Sequence, residues 1–236
     1  MSFPGSRTMQ EALTRRTMMI NFREYNTLEL PGICNRVICL YSPIEDLNEF
    51  LTRAEASAVA SAVPKRKREY STGRWLAHCA LSRLGQETEH LLPGSAREPL
   101  WPEGVTGSIT HTDSHAAVAV ANSAEFLGIG MDMESVGAIE QALLPKLLTR
   151  VEQANLNGID PTLIFSAKEA CYKLLYPIVG EYVDFLAVEV SVNETDRLFS
   201  VRYLGCSPAN AIVEQATGIY RQLENHWVSC AILPRI

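Results

Sequence analysis

Two acids two residues apart, Asp132 and Glu134 in Gly-Ile-Gly-Met-Asp-Met-Glu-Ser, are the first residues equipped for chemistry. On a strand, positions i and i+2 point to one face. Two carboxylates held that close resist joint ionisation unless a cation lies between them. An all-oxygen ligand set favours Mg2+ or Mn2+ over zinc. Taken alone, the pair also fits a strand end carrying two solvated acids. A second group is Phe165-Ser166-Ala167-Lys168-Glu169-Ala170-Cys171-Tyr172-Lys173. On a helix, Glu169 and Lys173 are i,i+4 neighbours, worth about 0.5 kcal/mol or less on a wet face. Their neighbours are apolar or small, which points to partial burial. A carboxylate so placed can join the other two acids at a metal or act as a base. In a third group, Ser108-Ile109-Thr110-His111, a hydroxyl and an imidazole adjoin at a loop-to-strand junction, a way to hold a phosphate. His78, His90, His115 and His226 lack such a context and read as structural. The fourth group is a cluster of cations, Lys65, Arg66, Lys67, Arg68 and Arg74. On an ideal helix Arg66 and Arg74 fall about 80° apart. They can grip two phosphates or opposite sides of one ligand, as planar guanidinium suits.

The chain that must position these groups has 236 residues, enough for one large domain or two small ones. With 47% hydrophobic and 20% charged residues it can bury a core. No apolar run reaches the ~20 residues of a membrane span. The N-terminus lacks a secretory h-region and cleavage site, so the expected location is the cytoplasm. Six cysteines form no CxxC pair and none lies near a histidine at zinc-ligand spacing, so they read as free thiols. The net charge of −6 argues against a nucleic-acid partner. Its distribution is uneven. The first 123 residues hold 13 Lys/Arg and 13 Asp/Glu, so the whole net charge lies in 124–236. A basic patch beside an acidic half suits an anionic ligand met by a carboxylate-bound cation.

Strands are expected over 36–41, 116–122, 126–134, 185–192, 198–203 and 227–233. Helices are expected over 46–63, 65–84, 138–155 and 163–175. Residues 88–107 read as a loop, and the first 35 residues are irregular. Without a regular βαβ rhythm the fold class is α+β. The composition shift divides the chain into 1–123 and 124–236. No internal repeat is visible.

In order, these motifs resemble those of the 4′-phosphopantetheinyl transferases, in particular the enterobactin-synthetase-type, broad-specificity bacterial branch. The likeness runs through R-K-R-E-x3-G-R (66–74), R-E-P-L-W-P (97–102), G-S-I-T-H (107–111), G-M-D-M-E (130–134) and F-S-A-K-E-A-x-x-K (165–173), covering about 64–190. It implies two similar α/β halves related by a pseudo-twofold, with the ligand between them. It also implies an enzyme that moves phosphopantetheine from coenzyme A to a serine of an apo acyl, peptidyl or aryl carrier protein, for siderophore, nonribosomal peptide or polyketide biosynthesis. By that resemblance Asp132 and Glu134 bind Mg2+ (or Mn2+), with the Met133 backbone carbonyl as a further ligand. Glu169 is the third acid, metal ligand or base toward the carrier serine. Lys173 contacts the pyrophosphate and assists the leaving group. Thr110 and His111 contact the phosphates, and Arg66 and Arg74 hold the nucleotide end. Pro93, Gly94, Ser95 and Ala96 line the adenine site, without the lysines some members carry there. A monomer with no membrane or nucleic-acid partner is expected. Two other readings share these residues: a coenzyme A-binding regulatory module without transfer, and a Mg2+-dependent phosphohydrolase.

Overall fold

The structure is a computed structural model that describes residues 24–33, 36–180, 182–205 and 209–235. The N-terminal segment read for a leader, Cys34 and Cys206 lie outside these residues. Of the other cysteines, Cys39, Cys79, Cys171 and Cys230 are all free and buried. Among the described residues no helix is long and apolar enough to cross a membrane.

Two antiparallel sheets share the strands. The first orders β1 (Asn26–Thr27), β2 (Val37–Pro43), β4 (His115–Asn122) and β3 (Val105–His111) as β1-β2-β4-β3. The second holds β5 (Phe126–Ser135), β9 (His226–Pro234), β8 (Thr217–Leu223), β7 (Leu198–Tyr203) and β6 (Val188–Asn193), in the order β5-β9-β8-β7-β6. Sheet membership changes between Asn122 and Phe126. The helices are α1 (Arg53–Ala58), α2 (Pro64–Arg83), α3 (Leu144–Leu147), α4 (Arg150–Ala154), α5 (Pro161–Val179) and α6 (Ala209–Val213).

The period-two pattern of β4 explains the layering. Ala117, Ala119 and Ala121 face inward, where they meet Ile129, Met131, Met133, Val228 and Cys230 of the second sheet. Ala116, Val118 and Val120 face outward onto Trp75, Leu76, Cys79 and Ala80 of α2. On the far side, Leu163, Ala167, Ala170 and Leu174 of α5 pack on Val190, Phe199, Tyr220 and Ala231. The order of layers is therefore α2, first sheet, second sheet, α5.

The two halves repeat one design. Strand β2, helix α2, then β3 and β4 pair in the order first, last, middle; β5, α5, β8 and β9 do the same, with β6 and β7 added. A sequence repeat underlies it, contrary to expectation. Leu-Thr-Arg-Ala-Glu at 51–55 recurs as Leu-Thr-Arg-Val-Glu at 148–152, and Pro64 and Pro161 follow at equal distance to open the long helices. Each copy forms a capping box, Thr52 with Glu55 and Thr149 with Glu152. Each glutamate then reaches a buried side chain of the long helix: Glu55 meets His78 Nε2 at 2.7 Å, and Glu152 pairs with Lys168 at 2.7 Å.

Other differences from expectation are local. The stretch 46–63 folds as a 3-10 turn at 48–50 and the short α1, because Leu51 and Thr52 leave the helix as an N-cap. The stretch 138–155 likewise breaks at Thr149, which caps α4. Residues 108–111 belong to a full strand, β3. Strand β8 lay outside every expected element.

Candidate active site

The acids owe their position to two glycines. Along β5 the residues facing α5 are Gly128, Gly130, Asp132 and Glu134. A Cβ on Gly130 would overlap the Ala170 carbonyl, and one on Gly128 would lie 2.9 Å from Ile178 Cδ1. Without those side chains α5 lies directly on the strand. Its next turns then carry Glu169 and Lys173 to the end of β5 that bears the two acids. On the other edge of β5, Ser108 of β3 donates to the Met131 carbonyl at 3.4 Å and Met133 N–H donates to Thr110 Oγ1 at 3.2 Å. In an extended strand a residue's N–H and C=O point the same way, so the Met133 carbonyl also faces β3.

Asp132 is 3% exposed. Its Oδ1 accepts from Lys173 Nζ at 2.7 Å and from Thr110 Oγ1 at 3.2 Å, while Oδ2 is buried without a partner. Lys173 Nζ also donates to Thr110 Oγ1 at 3.2 Å. Burial, reinforced by Asp132, pushes the Glu134 carboxyl up to about 7. Burial and Asp132 also raise Glu169, against the opposing pull of Lys173. This cluster thus carries more negative charge than one lysine offsets. Among the described residues no three His, Cys, Asp or Glu side chains already form a metal cage.

The opposite wall is cationic. Arg66 Nη1 donates to His111 Nε2 at 2.7 Å and lies 3.4 Å from Glu69 Oε2. Burial, with Arg66 and Lys173 nearby, holds His111 below its usual range, as an acceptor should be. The guanidinium of Arg74 stacks 4.5 Å over the Tyr70 ring and is 5% exposed, its Nε unpaired. Both walls line one cavity of about 680 Å3, together with Thr110, Asp132, Glu134, Glu169 and Lys173. A smaller cavity of about 290 Å3 continues past Glu169 and Lys173 and is apolar, lined by Trp101, Leu127, Ile129, Tyr172, Leu174 and Ile178.

The sequence thus named most of the walls. The loop 93–96 is only partly there. Pro93 lines the larger cavity and Ala96 the smaller, whereas Gly94 and Ser95 reach neither. Glu98 explains this: its carboxylate folds over Gly94 and accepts from Ala96 N–H at 2.9 Å, closing the loop on itself. Sequence reasoning missed Glu69 and Tyr70, one helical turn from Arg66 and Arg74, and Arg97. Arg97 has φ of 71° and lines both cavities. The signal for it was the Arg-Glu-Pro-Leu-Trp-Pro motif, to which no role had been given.

Two family models match the chain: the 4′-phosphopantetheinyl transferase N-terminal domain over residues 54–121, and the 4′-phosphopantetheinyl transferase superfamily over 128–231. The 4′-phosphopantetheinyl transferase Svp of Streptomyces mobaraensis is 37% identical over 172 residues, covering 70% of each chain. Npt of Nocardia iowensis is 32% identical over 61% of this chain and 67% of its own. Enterobactin synthase component D of Escherichia coli is 33% identical over 46% of this chain and 54% of its own. Among solved structures, the holo-[acyl-carrier-protein] synthase of Thermotoga maritima overlaps 47% of this chain and 65% of its own at 16% identity, with a TM-score of 0.37, too loose a likeness to build on. With matches across both halves, and 37% identity to Svp over most of each protein, this chain belongs to the 4′-phosphopantetheinyl transferase family of enzymes.

Proposed function

We propose that this chain transfers the 4′-phosphopantetheine of coenzyme A to a serine of apo carrier domains serving siderophore, nonribosomal peptide or polyketide synthesis. One observation carries the reading: three acids of the second half and the cations of the first half wall a single cavity. Coenzyme A has matching parts. Its 3′-phosphate and nucleotide suit Arg66 and the buried, aromatic-backed Arg74. Its pyrophosphate suits Thr110, His111 and Lys173. Its pantetheine arm, long and weakly polar, suits the apolar cavity beyond Lys173.

The donor set fits a hard divalent cation. Three carboxylates share one wall, Asp132 Oδ2 is buried and unpaired, and burial raises Glu134 and Glu169. Asp132, Glu134, Glu169 and the Met133 carbonyl would hold Mg2+ or Mn2+. When bound, such an ion neutralises charge building on the pyrophosphate oxygens. The chain's own groups do the rest. Glu169, which lines the same cavity beside Lys173, would accept the serine proton. The serine oxygen bonds to the β-phosphorus as the bond to adenosine 3′,5′-bisphosphate breaks. Lys173 leaves Asp132 to meet the departing phosphate. Positioning and charge supply most of the rate.

The test is the intact mass of an apo carrier after incubation with this protein, coenzyme A and Mg2+, beside a chelator control. A gain of one phosphopantetheine, lost with chelator, is expected, and Asp132→Ala should abolish it while the protein stays folded. No gain on peptidyl, polyketide or fatty-acid carriers, with coenzyme A still bound, would point to a binding module. Release of phosphate without any carrier would point to a phosphohydrolase.

A further inference from the structure

Glu69 is an acid on the cationic wall. The cavity's other carboxylates, Asp132, Glu134 and Glu169, come from the second half, whereas Glu69 lies on α2 among the cations. Its side chain is 9% exposed and lies 3.4 Å from Arg66 Nη1, 3.7 Å from His111 Nε2 and 3.9 Å from Lys65 Nζ. A carboxylate there repels an incoming phosphate, so its use lies in what it does to the groups beside it.

Strand β3 brings His111 to it. Period two turns Ser108 and Thr110 toward β5, and Ile109 and His111 toward α2. Gly73 lets that helix come close, since a Cβ there would lie 3.0 Å from Ile109 Cγ2. His111 Nε2 then meets Arg66 Nη1 at 2.7 Å. A guanidinium only donates, so Nε2 accepts and the imidazole is neutral. Glu69 Oε2, at 3.7 Å, is too far to accept a hydrogen bond and near enough to favour a charge on the ring. The charged groups facing His111 are Arg66 and Glu69 of α2 and Lys173 of α5, with Asp113 on its own hairpin held by Lys65 at 2.6 Å. Burial keeps the ring below its usual range; Glu69 opposes this, and Arg66 and Lys173 add to it.

We propose that Arg66 and Glu69 form a switch on His111, with Glu69 as a positioning residue. In the free chain Arg66 occupies Nε2 and keeps the ring neutral. When a phosphate draws the guanidinium away, Nε2 takes a proton from solvent, and Glu69 stabilises the imidazolium. The ring thereby turns from acceptor to donor as the ligand arrives, and the wall gains one positive charge. That the ligand is coenzyme A rests on the function proposed above; the competition between Arg66 and Glu69 for His111 does not.

Proton NMR of the imidazole C2–H follows the switch, with His111→Asn assigning the signal among five histidines. In chelator-treated protein, coenzyme A should raise the His111 titration midpoint by about one pH unit or more. Glu69→Gln should lose at least about half of that rise, and Glu69→Asp, which keeps the charge, should retain most of it. With no ligand present, Arg66→Met should raise the midpoint by itself, and adding Glu69→Gln should bring it back down. A midpoint unmoved by Arg66→Met, or one that Glu69→Gln does not lower in that background, would overturn the assignment. If the ligand-free variants behave as expected and no carrier is loaded, the switch stands and the proposed function falls. If carriers are loaded while the midpoint stays fixed on binding coenzyme A, the function stands and the switch does not.

Discussion

At the scale of the residue, the site is an electrostatic imbalance held in place. Glu134 shows it best. Its carboxyl titrates near 7 in the fold, against 4.5 when unperturbed. The folded state therefore holds a proton that the unfolded state has lost between those values, and stability falls as pH rises through that window. Glu134 is partly solvated, so the cost above pH 7 is about 1 kcal/mol after screening rather than the full shift. Glu134→Gln should flatten the fall between pH 5 and 8 in chelator-treated protein, as read by thermal melts. Saturating Mg2+ should stabilise wild type more at pH 8 than at pH 6, because ligation needs the deprotonated form. Equal Mg2+ effects at both values would remove Glu134 from the ligand set. The acids were legible because period two puts Asp132 and Glu134 on one face whatever they face. What they face was not. Lys173 at 2.7 Å from Asp132 joins residues 41 positions apart, which no spacing rule reaches.

At the scale of the element, α5 is held to the site by contact on one side and an ion pair on the other. The contact is with the bare glycines of β5. Gly130→Ala should push α5 off the strand, costing about 1–3 kcal/mol. It should cost far more in rate, about 100-fold in kcat, because Glu169 and Lys173 ride on that helix. A fall in melting temperature with kcat intact would show that α5 does not set the geometry. The ion pair is Lys168 with Glu152, both fully sequestered, and Lys168 Nζ also donates to the Leu147 and Phe185 carbonyls at 2.9 and 2.7 Å. Lys168→Met strands a buried carboxylate and should cost about 3–5 kcal/mol. Adding Glu152→Gln should recover part of it. No recovery in chemical denaturation would mean the lysine acts through its carbonyl bonds alone. Strong periodic elements were readable: α2 and α5 begin on prolines and β4 alternates Ala and Val. The weak ones were not. The span 46–63 looked like one helix because its alanines fit that period, and the capping box that divides it is a tertiary feature as much as a local one. Strand β8, Thr-Gly-Ile-Tyr-Arg-Gln-Leu, gave no clean alternation because only its first half is buried.

At the scale of the molecule, two copies of one design yield one site. In the second half, the free edge of β5 faces β3, and the cavity opens there. In the first half the corresponding edge of β2 is taken by β1, with Leu28, Leu30 and Ile33 filling the space between the sheets. The repeat hid in the sequence because only the capping pentapeptide and the helix-opening proline survived in both copies. The cations belong to the first sheet's side and the acids to the second's, so the spacing between the sheets sets the width of the cavity. The inward alanines of β4 set that spacing. Ala119→Leu should part the sheets, costing about 1–3 kcal/mol by overpacking. It should also raise KM for coenzyme A, as the guanidinium wall withdraws from the acid wall. Ala80→Leu, on α2 where it packs on the outer face of the first sheet, supplies the control, because Ala80 is equally buried but lies outside the inter-sheet core. Matched in stability loss, the two variants should differ in KM by roughly tenfold, the equivalent of about 1.4 kcal/mol of lost contact. Equal KM values would mean that α2 and α5, and not the packing between the sheets, fix the distance between the two walls of the cavity.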